Sequence, residues 1–105
     1  MLAIYDVMLG VLREIRGVLA KVEVKDLDLA KQLRRAATSV LLNIAEASGV
    51  SGGNRRMRYL TALGSAKETR ACLHAAEALG YIGGLNESVV DGLDRIIATL
   101  VKVSR

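Results

Sequence analysis

Apolar residues recur at helical spacing in four segments of this chain, and breaks containing Gly or Asp separate them. In the first segment Tyr5, Met8, Leu12, Ile15, Leu19 and Val22 fall on one stripe of a helix. Ile4, Val11 and Val18 form a second row beside it. Together they make an arc wider than one neighbouring helix covers. In the second segment Ala30, Leu33, Ala37, Val40 and Ile44 form the core stripe. Leu42 stands about 180° away from it, on the side of Arg35, Ser39, Asn43 and Glu46. The third segment has two apolar faces. One holds Met57, Leu60, Gly64, Ala71, Ala75 and Ala78; the other holds Tyr59, Ala62, Leu63, Ala66 and Leu73. A polar strip of Arg56, Lys67, Arg70 and His74 lies between them. The fourth carries Val89, Val90, Leu93, Ile96, Ile97, Leu100, Val101 and Val103, again over a broad arc.

Capping chemistry sets the expected ends. Asp28 is the expected N-cap of the second helix, Asn54 of the third and Asn86 of the fourth. Gly49 suits a left-handed C-cap, and Gly83-Gly84 marks the last break. The predicted helices span residues 3–22, 28–48, 55–80 and 87–103, with no strand. Helices of that size are about 30 Å long at about 1.5 Å per residue. Short links between them favour an all-α, antiparallel up-down four-helix bundle. The surplus apolar surface predicts a homo-oligomer, with Leu42, Ala62 and Ala66 near the contact.

Composition agrees with that reading. The 105 residues fit one domain, and 51% of them are apolar. Proline is absent, which permits long unbroken helices. The formal charge of +4 permits an anionic partner without demanding one. Cys72 is the single cysteine, so neither a disulfide framework nor a thiolate zinc site is expected, and a reducing cytoplasmic setting fits. Asp6 interrupts the apolar start, which makes a poor signal peptide. No apolar run approaches the roughly 18 residues that span a bilayer.

The chemistry on offer is sparse. One His, one Cys and scattered carboxylates give no visible nucleophile–base pair, and Glu-x-x-His motifs are absent. Neither an enzyme, nor a cofactor, nor a metal is expected. Asn43, Glu46 and Glu68 are read either as solvated helix surface or as a polar network with Arg34 or Arg35. Arg55, Arg56 and Arg58 fall in the first turn of the third helix, where cations face the positive end of the helix dipole. That unfavourable placement points to use, for instance with phosphate; a solvated charged face is the alternative. With Arg34, Arg35, Lys67 and Arg70 they form the candidate nucleic-acid-binding set. No stacking platform accompanies them apart from Tyr59, which argues for backbone contact over base reading.

The stretches LAKQLRRAATSVLLNIAEASG and RRMRYLTALGSAKETRACLHAAEALGYI, within residues 29–82, resemble the 23S ribosomal RNA intervening-sequence proteins. The matching residues include Arg34, Arg35, Asn43, Glu46, Gly64, Ser65 and Glu68. The resemblance implies an up-down four-helix bundle assembled as a ring-shaped pentamer, with no established catalytic residue. A related branch, the accessory proteins of diversity-generating retroelements, uses such a ring to bind nucleic acid and a reverse transcriptase. The present chain has shorter, less basic termini than that branch. Two functions follow as expectations: an oligomer that binds RNA or DNA, or a scaffold that binds a reverse transcriptase or other protein.

Overall fold

The computed structural model describes residues 2–105. Four helices make up the fold: α1 (Ile4–Lys25), α2 (Leu27–Ala47), α3 (Gly52–Ala78) and α4 (Glu87–Val103). No strand occurs among the described residues. α1 packs on α2 and α4, and α3 packs on the same two, so α1 and α3 sit on a diagonal. The body measures 42 × 24 × 20 Å. Ser39 meets Ser65 and Glu46 meets Arg58 across α2 and α3, while Arg70 meets Asp94 and Arg56 meets Ser104 across α3 and α4.

The core combines one apolar strip from each helix. Ile4, Met8, Val11 and Ile15 pack with Leu33, Ala37, Val40 and Ile44, and with Val89, Leu93, Ile96 and Leu100. α3 adds Ala62, Ala66, Cys72 and Leu73. A smaller cluster of Val22, Ala30 and Ala76 closes one end, beside Tyr81 and Ile82. The inward direction of α1 runs between its two predicted rows, which leaves Tyr5, Leu12 and Leu19 only half-buried. On α3 the face of Ala62, Ala66 and Leu73 turns inward, and Met57, Gly64, Ala71 and Ala78 are exposed. Ala62 and Ala66 keep 0% of their surface, so neither is available for the oligomer contact expected of them. Their small side chains are consumed inside the chain's own core. Leu42 is 53% exposed and remains available.

The helix ends depart from expectation at three places. Asp26, not Asp28, caps α2: its Oδ1 accepts from Leu29 N at 3.0 Å, and its Oδ2 accepts from Tyr81 Oη at 3.2 Å. α1 therefore continues to Lys25 and turns into α2 through a single residue. α3 starts at Gly52 after Ser51, with no side-chain cap, so Asn54 lies inside the first turn. Gly49 does not adopt a positive φ. α2 ends instead on tightened bonds, Ser48 N to Ala45 O and Gly49 N to Glu46 O. The left-handed glycine that ends a helix is Gly80, with φ 77°. There Tyr81 N donates to Ala76 O and Gly80 N to Glu77 O, the paired bonds of a Schellman ending. Asn86 caps α4 as predicted, accepting from Ser88 N.

Candidate nucleic-acid interface

The three arginines predicted to cluster at the start of α3 each take a different partner. Arg55 Nε donates to Ala47 O at 3.1 Å and to Val50 O at 2.9 Å, beyond the end of α2. Arg56 Nε donates to Ser104 O at 2.8 Å, at the end of α4. Arg58 pairs with Glu46 at 2.8 Å. These contacts explain the cations at the positive end of the α3 dipole. The carbonyl ends of α2 and α4 lie beside it, and their negative potential reverses the local penalty. Arg55 and Arg56 thus each hold a neighbouring helix end through Nε, while all three side chains stay exposed.

Lys67 and Arg70 also stand apart from Arg34 and Arg35. Arg70 lies 3.5 Å from Asp94 on α4, and Lys67 is exposed. Arg34 lies 3.6 Å from Glu23 of α1. All three ion pairs are about half-exposed, so each contributes little to stability. Among the described residues, Lys31, Arg35 and Lys67 form no ion pair.

A different grouping emerges along the outer side of α2. A shallow groove of about 630 Å³ is lined by Lys31, Arg34, Arg35, Thr38, Ser39, Leu42, Asn43 and Glu46, with Arg58 from α3. Four cations face one carboxylate there. The groove runs over about 22 Å from Lys31 to Glu46, at about 1.5 Å per helical residue. It follows directly from helix geometry, because positions 31, 34–35, 38–39, 42–43 and 46 recur on one face. Lys31 and Thr38 escaped the sequence reading, although their spacing from Arg35 and Leu42 carried the signal. Of the two readings of Asn43, Glu46 and Glu68, solvated surface or polar network, the chain shows independent contacts. Asn43 bonds to Ser39, Glu46 pairs with Arg58, and Glu68 is exposed. Neither Arg34 nor Arg35 pairs with any of the three.

The remaining chemistry is quiet. Cys72 is buried, and burial first, then the Glu68 carboxylate, pushes its thiol above the ordinary value. His74 is exposed on α3. No three metal-ligating side chains gather among the described residues. No helix among them is long and apolar enough to cross a membrane.

The family model of the 23S rRNA-intervening sequence protein matches residues 2–102. The chain belongs to this family. Its fold is similar to the crystal structure of a protein of unknown function from the S23 ribosomal protein family of Bacteroides thetaiotaomicron. That likeness has a TM-score of 0.84 at 22% identity and covers 98% of this chain and 99% of the other. At that identity it speaks for the fold alone. No curated protein matches the chain. The family match extends the resemblance of residues 29–82 to nearly the whole sequence.

Proposed function

We propose that this chain is a non-catalytic, antiparallel up-down bundle that self-associates in the cytoplasm and binds RNA or DNA through the α2 groove. The observation that carries the reading is the convergence of Lys31, Arg34, Arg35 and Arg58 on one groove against Glu46. Such a row of cations suits the phosphate backbone, and the absence of aromatic side chains from it argues against base stacking. The opposed order of cross-helix pairs supports the antiparallel arrangement. Exposed Met57 and Val101 support self-association, with a cyclic pentamer favoured by the family resemblance.

Fluorescence anisotropy with single-stranded RNA and DNA over a salt series tests the proposal. Affinity should fall as salt rises, with a log–log slope of about −0.7 per phosphate contact. Replacing Arg34 and Arg35 by Ala should weaken both nucleic acids and flatten the slope. Replacing Arg55 and Arg56 should instead lower thermal stability, because two helix ends lose donors. An unchanged slope in the Arg34/Arg35 variant would defeat the reading. The scaffold reading would then lead, supported by the commitment of Arg55, Arg56 and Arg70 to contacts within the fold.

A further inference from the structure

One polar side chain in the groove is not a surface group. Asn43 keeps only 9% of its surface yet lines the groove. Its Nδ2 donates to Ser39 O at 2.9 Å and lies 3.1 Å from Ser39 Oγ. A backbone carbonyl only accepts, so this bond fixes which end of the amide faces α2. Ser39 Oγ in turn lies 2.8 Å from Ser65 Oγ of α3. The amide is thereby tied to the hydroxyl pair that links α2 and α3. Its Oδ1 makes no hydrogen bond with the described residues. The only fully buried side-chain polar atom left without a partner among them is Ser104 Oγ, so Asn43 Oδ1 is not sealed from solvent, and Asn43 lines the groove.

An oriented acceptor set in a row of cations calls for a ligand that places a donor beside its phosphates. Phosphate oxygens cannot donate, and deoxyribose within a strand has no hydroxyl. Ribose offers its 2′-hydroxyl there, next to the phosphate. We propose that Asn43 makes the groove selective for RNA over DNA, with Oδ1 accepting from a 2′-hydroxyl while Arg34 and Arg35, about 12–14 Å along α2 at about 1.5 Å per residue, hold phosphates further along the same strand. This rests on the phosphate-binding reading above.

The test uses one single-stranded sequence made as RNA, 2′-O-methyl RNA and DNA, titrated into the wild-type protein by anisotropy. The methyl ether keeps the oxygen and removes the donor. RNA should bind about five- to tenfold more tightly than either analogue, the scale of one hydrogen bond. Asn43→Ala, checked for its helical circular dichroism, should reduce that ratio to about one and leave the salt slope intact. Asn43→Leu, close to Asn in volume, is the second variant if Asn43→Ala fails to fold, and it should remove the preference equally. Equal binding of all three ligands overturns the role of Asn43 and leaves phosphate binding standing. A preference that survives Asn43→Ala in folded protein also overturns it. Failure to bind any of the three removes both readings.

Discussion

At the scale of single residues, position decides between side chains that the sequence offers as equals. Asp26 and Asp28 are two residues apart, and either carboxylate has the chemistry of an N-cap. Tyr81 lies 55 positions beyond Asp26, and no local pattern reveals that its hydroxyl meets that carboxylate. Asp26→Ala should therefore cost about 1–2 kcal/mol in urea unfolding, and Asp28→Ala only a few tenths. Cys72 gives a second residue-level expectation. Its folded-state pKa lies above the unfolded one, because burial and then Glu68 disfavour the thiolate. The unfolded thiol loses its proton first as pH rises. That contribution is thus fully present below the ordinary thiol value of about 8.5 and is lost as pH climbs through the higher folded value. Cys72→Ala should flatten this alkaline limb of a stability–pH profile. In the native protein at pH 8, the thiol should react with a disulfide reagent far more slowly than in urea.

At the scale of elements, the apolar period located all four helices, and the ends of α4 agree with expectation. What the period could not choose was the inward face of α3, since both of its faces are apolar and rich in small residues. Partners on α2 and α4 settle it, and with it the fate of Ala62 and Ala66. The first-turn arginines were legible as an anomaly but not as a solution, because a dipole argument on one helix omits the neighbouring carbonyl ends. The α2 groove was half-legible: Arg34 and Arg35 stood out, and Lys31, at helical spacing from both, did not. Glycines separate similarly. A Cβ on Gly92 would lie 2.9 Å from Val11 Cγ2, whereas one on Gly17 or Gly64 would meet nothing within 4 Å. Val11 is 3% exposed and β-branched, so it has little freedom to move aside. Gly92→Ala should be destabilising by about 1 kcal/mol net, since overpacking of about 1–3 kcal/mol outweighs the helix gain of about 1. Gly17→Ala should stabilise the isolated protomer by up to about 1 kcal/mol. Paired thermal melts of the two variants against wild type read the opposite signs.

At the scale of the whole molecule, exposed apolar residues gather towards the ends of the 42 Å body. Val24 and Leu27 flank Asp26, and Leu79 precedes the Tyr81 that bonds to it, so these three share one end. At the other end the Arg56–Ser104 bond brings the second turn of α3 beside the last turn of α4. Met57, 58% exposed, and Val101, 43% exposed, belong to those turns, and half-buried Leu60 follows one turn later. Leu42 differs, standing among the polar and charged side chains that line the α2 groove. A copy docked on Leu42 would cover the cations proposed to meet phosphate, while a copy docked near Met57 and Val101 would leave them open. Self-association and nucleic-acid binding are therefore expected to separate by mutation. Light scattering of the wild-type protein at micromolar concentration should give a multiple of 11.2 kDa, about 56 kDa for five copies. The double variant Met57→Glu, Val101→Glu should fall to the monomer mass with its helical circular dichroism unchanged. Leu42→Glu should keep the assembled mass and weaken RNA binding, because a carboxylate enters the groove. The monomeric double variant should also bind a long RNA less tightly than wild type, since linked copies raise the effective concentration of each groove. Its affinity for an RNA short enough to fill one groove should be nearly unchanged. A wild-type mass of one chain at micromolar concentration would remove the assembly, and the avidity argument with it.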